Sequence, residues 1–176
     1  MRSISSSIID DKNNNGIGII PFLTSGFPNV ELTKDIILKL VDEKLCSAIE
    51  IGIPFSDPIA EGKTIQRSSS VALKNGVTID STLKTISEIN EYNKDTPIIS
   101  MGYYNPIIKI GLDNFFSGCK QSGVNGVIIA DIPNTELEII QNTANKYQIE
   151  TIPLVPLNAS NTTVEHACKI GQGFIY

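Results

Sequence analysis

The sequence has few of the residues on which many familiar sites depend. It contains one histidine and three cysteines among 176 residues. Cys46, Cys119 and Cys168 are odd in number and far apart, so they match neither a zinc spacing nor a disulfide framework. We interpret them as small buried hydrophobic residues in a reducing compartment. His166 falls in a predicted helix and is expected at its surface, which leaves a histidine-dependent triad or a zinc site without support.

Charge and hydropathy exclude further classes of protein. The net charge is −5 and no basic face occurs, which argues against a nucleic-acid partner. No apolar window of about 18 residues predicts a membrane span. Only Arg2 precedes a short polar stretch at the N-terminus, without the apolar core of a signal peptide. From these two observations we expect a cytoplasmic globular protein. Walker and Rossmann phosphate loops and a nucleophile elbow are also missing, which argues against a nucleotide-binding fold and an α/β-hydrolase.

The apolar pattern alternates between strand-like and helix-like segments. Six apolar runs of strand length occur at Ile17–Leu23, Ala48–Ile53, Pro97–Met101, Gly126–Ala130, Glu150–Val155 and Gly173–Tyr176. Five amphipathic helical stripes lie between them, around Leu32–Val41, Ile79–Ile89, Leu112–Cys119, Leu137–Tyr147 and Val164–Cys168. The strands are apolar throughout, which is typical of parallel strands covered on both faces. The order predicts an α/β fold, and the pattern alone leaves both a doubly wound sheet and a barrel open.

One run places an acid inside a predicted strand. Glu50 lies among Ile49, Ile51 and Ile53, where a carboxylate tends to keep its proton unless a partner compensates. We predict a general acid/base with a raised pKa, the alternative being a carboxylate satisfied by backbone donors or water. Glu61 follows in the polar loop after this strand. The two acids, in different environments, could act on opposite sides of one substrate at the carboxyl ends of the strands.

Several segments resemble one known family. The segments are Glu50–Gly62 (E-I-G-I-P-F-S-D-P-I-A-E-G), Thr64–Gln66, Pro21–Pro28, Tyr103–Pro106 and Ala130–Pro133. They closely resemble the signature of the tryptophan synthase α subunits, and the likeness covers essentially the whole chain in order. The resemblance implies a (β/α)8 TIM barrel. Residues 1–176 would supply about six strands and five helices of it, as a single domain that stops after the sixth strand.

The resemblance also implies a reaction. This is the retro-aldol cleavage of indole-3-glycerol phosphate to indole and glyceraldehyde 3-phosphate, in tryptophan biosynthesis. Glu50 would exchange protons with indole C3 and with the side-chain hydroxyl, and Glu61 would balance the charge that develops on the indole nitrogen. We expect no metal or cofactor in this chain. Because the phosphate site of such barrels follows strands seven and eight, we expect the activity of these 176 residues alone to be near nil.

Further positions match the family's pocket and its partner interface. The residues that match walls of the indole pocket are Phe22, Met101, Tyr103, Leu154 and Tyr176. The residues that match the interface are Asp57, Pro58, Asn105 and Pro133. The partner would be the pyridoxal phosphate-carrying β subunit, which takes up the indole in an α2β2 heterotetramer.

Two substitutions and two alternatives qualify the resemblance. The family usually has aspartate at Glu61 and proline at Lys63. The additional methylene is about 1.5 Å long, and a misplacement near 1 Å can cost roughly 10²-fold in rate. One alternative is a non-catalytic α-like subunit that only binds and activates the β subunit. The other is a related phosphate-sugar barrel enzyme with a different substrate.

Overall fold

The computed structural model describes residues 3–59 and 61–176, so Arg2, cited above for the N-terminus, and Ala60, within the family signature, lie outside the described residues. The strands are β1 (Phe22–Thr24), β2 (Ile49–Gly52), β3 (Ile98–Gly102), β4 (Gly126–Ile129) and β5 (Glu150–Thr151). The helices are α1 (Ile4–Asn15), α2 (Val30–Asp42), α3 (Lys63–Lys74), α4 (Ile79–Tyr92), α5 (Tyr104–Ile110), α6 (Leu112–Ser122), α7 (Asn134–Lys146) and α8 (Asn161–Ile170). Within the described residues no helix has the length and hydrophobicity that crossing a membrane requires.

The sheet keeps the order of the chain. All four pairings are parallel, and each strand lies beside its neighbours in sequence, from β1 to β5. A doubly wound sheet reverses its strand order at a switch point, and this sheet has no reversal. The order is therefore that of a barrel wall rather than of the doubly wound alternative.

Helices cover one face of this sheet with the larger apolar cluster. Ile49 and Ile51 of β2 point to this outer face and pack with residues of α2, α4, α6 and α7. Phe115 and Phe116 of α6 are fully buried there, and their rings make an edge contact with a centroid distance of 5.3 Å. Removal of this apolar surface from water is the main source of the sheet's stability.

The inner face carries a second, smaller cluster. Ile99 of β3 and Ile128 of β4, with Ala48 directly before β2 and Ile152 directly after β5, meet Ile4 of α1, which is fully buried. Helix α1 therefore packs against the inner face near the amino ends of the strands. The prediction that the strands are covered on both faces is confirmed, and the polar helix α1 is an unpredicted part of the inner layer.

The number of elements differs from the predicted six strands and five helices, because the described residues form five strands and eight helices. The run Gly173–Tyr176 is not a strand, although Tyr176 exchanges backbone hydrogen bonds with Pro153 and Val155 at 3.0 and 2.9 Å. Strand β5 is shorter than predicted, and Pro153 shortly beyond its end has no N–H to donate. Helix α1 was missed because it is rich in serine and asparagine, and α3 because it contains three consecutive serines. Helix α5 was missed because it is short and has Pro106 in its first turn.

Cap-type residues stand before four of the amphipathic stripes in the sequence, which predicts helix caps at Asn29, Thr78, Asn134 and Thr162. Two of these four caps are confirmed. Asn29 caps α2 by accepting from the Leu32 amide, and Thr78 forms a reciprocal capping box at α4 with Ser81. Asn134 and Thr162, also predicted as caps, are wrong: Pro133 and Ser160 occupy the cap positions of α7 and α8. These differences of one or two residues move no side chain of the site.

Replacing Ile4 by alanine tests whether α1 stabilises the inner face. Ile4→Ala leaves a cavity among Ile99, Ile128 and Ile152, so we expect the free energy of unfolding to fall by about 3 kcal/mol. Urea denaturation followed by circular dichroism measures it. The matched control is Ile9→Ala in the same helix, where the side chain is 54% exposed and we expect a change within about 0.5 kcal/mol. Equal effects of the two substitutions would contradict this role of α1.

Candidate active site

Glu50 lies on the inner face of the sheet, at the centre of the candidate site. In β2 it pairs with Phe22 of β1 and Ile99 of β3, and its side chain is only 2% exposed. Its sequence neighbours Ile49 and Ile51 point to the opposite face. The predicted burial is confirmed, but the interpretation that these isoleucines surround the carboxyl is wrong, since strand residues alternate between faces.

The Glu50 carboxyl has little to stabilise its charge. Among the described residues, Oε1 is buried without a hydrogen-bond partner. Burial raises the pKa of this carboxyl from its ordinary 4.5 to about 7, because the ionised form loses its hydration. The charge of Glu50 in turn raises the pKa of Tyr176, and partial burial of the phenol adds to this effect. Glu50 can therefore gain or lose a proton near neutral pH.

A cavity of about 410 Å³ opens beside Glu50. Its lining consists of Phe22, Glu50, Glu61, Gly62, Ile65, Met101, Ala130, Leu154 and Tyr176. The lining is mostly apolar, and two carboxylates are its only ionisable groups apart from the Tyr176 phenol. Such a cavity suits a small planar apolar molecule with one or two polar groups.

Glu61 reaches this cavity from the segment that precedes α3. Its carbonyl oxygen accepts a hydrogen bond from Nε2 of Gln66 at 3.0 Å. Its carboxylate oxygen Oε2 accepts a short hydrogen bond from the hydroxyl of Tyr103. Both the backbone and the side chain of Glu61 are therefore held in place.

Tyr103 lies next to the cavity rather than in its lining. It is 3% exposed and occupies an adjoining narrow cleft, with its ring stacked on Phe55 at a centroid distance of 4.9 Å. The other four residues matched to the indole pocket, Phe22, Met101, Leu154 and Tyr176, share the cavity with both acids. The sequence analysis grouped Tyr103 with these four and missed its bond to Glu61, because two distant loops must meet to form it.

Three further lining residues were also missed. Gly62 and Ile65 belong to the start of α3, which the sequence analysis treated as loop, and Ala130 directly follows β4. A helix assigned from the spacing of Ile65, Ala72 and their neighbours would have indicated the first two. Ala130 was marked by its position after a strand and by its place at the start of the motif Ala130–Pro133, but it was not assigned to the pocket.

The residues matched to the partner interface follow three neighbouring strands: Asp57 and Pro58 lie on the loop after β2, Asn105 in the first turn of α5 after β3, and Pro133 at the start of α7 after β4. Asp57, Asn105 and Pro133 are exposed, and Pro58 is half-buried. The hydroxyl of Ser56 donates a hydrogen bond to the Asp57 carboxylate. This placement leaves the surfaces accessible, and the contact itself stays a prediction.

The histidine and the cysteines lie away from the cavity. Nε2 of His166 is 3.2 Å from Oε2 of Glu138 on the neighbouring helix α7, at the predicted surface position. Cys119 is buried, which raises its pKa to about 12, whereas Cys46 is half-buried and Cys168 is exposed. The interpretation of all three cysteines as buried is therefore wrong for Cys168. Over residues 3–59 and 61–176 no group of histidine, cysteine and acidic side chains could hold a metal ion.

The fold and the cavity define a class: a parallel barrel-type α/β chain with two acidic side chains, Glu50 and Glu61, in one cavity at the carboxyl ends of its strands. A sequence model described as "Tryptophan synthase alpha chain" matches residues 8–176. The chain belongs to the tryptophan synthase alpha chain family. Its fold is accordingly that of the TIM-barrel family, and its five described strands do not close the barrel.

Relatives and solved structures agree with this assignment. The tryptophan synthase alpha chain of Petrotoga mobilis is 41% identical over 97% of this chain and 65% of its own length. The tryptophan synthase alpha chain of Clostridium acetobutylicum is 40% identical over 94% of this chain and 62% of its own length. This chain thus spans slightly less than two thirds of these relatives.

Two solved structures match all or most of this chain. Tryptophan synthase subunit alpha from Legionella pneumophila has a TM-score of 0.91 at 29% identity, covering 100% of this chain and 67% of that one. A structure of the tryptophan synthase α2β2 complex from Pyrococcus furiosus has a TM-score of 0.85 at 37% identity, covering 90% of this chain and 63% of that one.

The raised pKa of Glu50 predicts a pH-dependent stability. Between pH 4.5 and about 7 the folded protein keeps a proton that the unfolded chain releases, so the free energy of unfolding falls as pH rises through this range and then levels off. The amide in Glu50→Gln does not titrate in this range. Above pH 7 the free energy of unfolding of Glu50→Gln should therefore exceed that of the parent by about 3 kcal/mol. Urea denaturation at a series of pH values measures this difference. Glu165→Gln, at an exposed position of α8, is the control and should keep the parent's pH profile.

Proposed function

We propose that this chain carries the α-subunit chemistry of tryptophan synthase, the retro-aldol cleavage of indole-3-glycerol phosphate to indole and glyceraldehyde 3-phosphate. The observation that carries the proposal is the buried Glu50 carboxyl, whose Oε1 has no hydrogen-bond partner among the described residues and whose pKa is raised to about 7, in an apolar cavity shared with Glu61. A lyase that works by proton transfer needs a group that exchanges protons near neutral pH.

Glu50 serves both proton transfers in this proposal. The protonated carboxyl gives its proton to indole C3, which makes the ring a leaving group. As the bond between C3 and the side chain breaks, its electron pair goes to the ring. The adjacent hydroxyl becomes the aldehyde and releases its proton to the Glu50 carboxylate. The acid is thereby regenerated, and the reaction consumes no net proton.

Glu61 balances the charge that develops on the indole ring. Protonation of C3 leaves positive charge on the ring nitrogen, whose N–H then donates to the Glu61 carboxylate. The apolar walls Phe22, Met101 and Leu154 exclude water and strengthen this interaction. No step of this reaction requires a metal or an organic cofactor in this chain, and pyridoxal phosphate is assigned to the β subunit.

The expected partner is the tryptophan synthase β subunit in an α2β2 assembly. Two observations support this: the fold similarity to the α2β2 complex of Pyrococcus furiosus, and the exposure of Asp57, Asn105 and Pro133. These residues follow β2, β3 and β4 at the same end of the sheet as the cavity. A partner bound there lies close to where indole is released.

Replacing Glu50 by glutamine tests the catalytic proposal. Glu50→Gln keeps the shape of the side chain but cannot release a proton, so we expect indole release to fall at least about 100-fold. Because we expect residues 1–176 alone to have almost no activity, this variant and its control are both made in a version extended to the length of the relatives. The assay measures indole formed from indole-3-glycerol phosphate with purified β subunit present, and β-subunit binding is measured in parallel. We expect Glu165→Gln to leave both unchanged. Unchanged indole release in Glu50→Gln would instead favour a subunit that only activates its partner.

Reversing the charge of Asp57 tests the interface. Asp57→Arg changes an exposed loop beside the cavity, and we expect affinity for the β subunit to fall about tenfold, or roughly 1.4 kcal/mol. The matched control is Glu43→Arg, at the exposed end of α2 on the opposite side of the sheet. Isothermal titration with β subunit measures both. Equal affinities of the two variants would place the partner on another surface.

A further inference from the structure

We propose that Tyr103 is the positioning residue of Glu61, and that it acts on bound indole through this carboxylate rather than as a wall of the pocket. The inference rests on the function proposed above and assigns Tyr103 a role within the same site. It starts from the hydrogen bond that the Tyr103 hydroxyl donates to Oε2 of Glu61.

The ring of Tyr103 is itself fixed. Tyr103 directly follows β3 and caps the start of α5, so its backbone is anchored at both sides. Its ring stacks on Phe55 with an interplanar angle of 28° and is almost fully buried. The fixed ring therefore holds its hydroxyl oxygen within hydrogen-bonding reach of Glu61.

Glu61 needs such an anchor because of its position in the chain. It lies in the segment between β2 and α3, where the bond from Gln66 holds only its carbonyl oxygen. An unrestrained glutamate side chain samples several rotamers, and their loss on binding a ligand would cost up to about 1.5–2 kcal/mol. The bond from Tyr103 removes this freedom before a ligand arrives.

The hydrogen bond leaves the carboxylate able to accept another. An ionised carboxylate offers about four lone-pair sites, so one bond from a phenol does not use its capacity. Phenol–carboxylate bonds are charge-assisted and strong, and they persist while the second oxygen accepts from a ligand N–H. The Glu61 carboxylate can therefore accept from the Tyr103 hydroxyl and from the indole N–H at the same time, which links Tyr103 to the ligand through Glu61.

The two roles of Tyr103 predict different ligand dependence. A wall residue contacts the ring of any planar ligand, whether or not that ligand has an N–H group. A positioning residue affects only ligands that donate to Glu61. Indole and 1-methylindole have the same bicyclic ring, but only indole carries the N–H, so this pair of probes separates the roles.

The experiment measures the affinities of indole and 1-methylindole for the wild-type chain and for Tyr103→Phe. The sequence contains no tryptophan, so the fluorescence of the probe can be followed with excitation on the long-wavelength edge of its absorption band, where the five tyrosines absorb little. Tyr103→Phe keeps the ring and its stacking on Phe55 and removes only the hydroxyl. We expect about tenfold weaker binding of indole and unchanged binding of 1-methylindole. Tyr104→Phe, next in the chain and packed against the outer cluster, is the matched control and should bind both probes as the wild type does.

A second background tests whether Tyr103 acts through Glu61. In Glu61→Gln we expect indole to bind more weakly, and adding Tyr103→Phe should then have less than a twofold further effect, because the two residues act as one unit. Thermal unfolding of each variant verifies that the fold is intact.

Each other outcome has a distinct meaning. Equal weakening of both probes by Tyr103→Phe would show a wall residue and overturn the inference, as would unchanged indole binding or full additivity with Glu61→Gln. These results would leave the proposed function standing. Absence of indole binding by the wild-type chain would instead overturn the proposed function, and the positioning role with it.

Discussion

The site depends on one unfavourable interaction, the removal of the Glu50 carboxyl from water without a hydrogen-bond partner for Oε1. A buried polar atom left unsatisfied costs roughly 1–3 kcal/mol, and this cost is what moves the pKa of the acid to about 7. A solvated carboxylate or one paired with a cation would be more stable and would stay ionised at neutral pH. Stability of the fold and reactivity of the acid are therefore opposed at this residue.

The fold tolerates the buried Glu50 carboxyl because successive side chains of β2 point to opposite faces of the sheet. Ile49 and Ile51 bury their side chains in the large cluster under the helices, while Glu50 between them points to the other face. Stabilising and reactive side chains thus come from consecutive residues of one strand. The inner face is itself divided, since α1 and Ile4 cover its apolar amino end and the acids lie towards its carboxyl end.

The sequence predicted those parts that depend on local pattern. The parallel sheet, the burial of Glu50 and the gathering of Phe22, Met101, Leu154 and Tyr176 around one cavity follow from apolar runs, strand ends and family motifs. Helix α1 was missed because its register of apolar residues is weak, and its stability comes from tertiary contact through Ile4. The bond between Tyr103 and Glu61 was missed because it joins two loops whose approach depends on strand order.

The two acids are held in different ways, and the difference agrees with their proposed tasks. Glu50 is part of a strand with neighbours hydrogen-bonded on both sides, and a proton transfer requires such a fixed donor. Glu61 lies in a connecting segment and obtains its position from side chains, through Gln66 and Tyr103. Loss of two hydrogen bonds would free Glu61, whereas moving Glu50 requires disruption of the sheet. An acid held in the second way can follow a loop that opens to admit a ligand, and the acid on the strand stays in place while it does so.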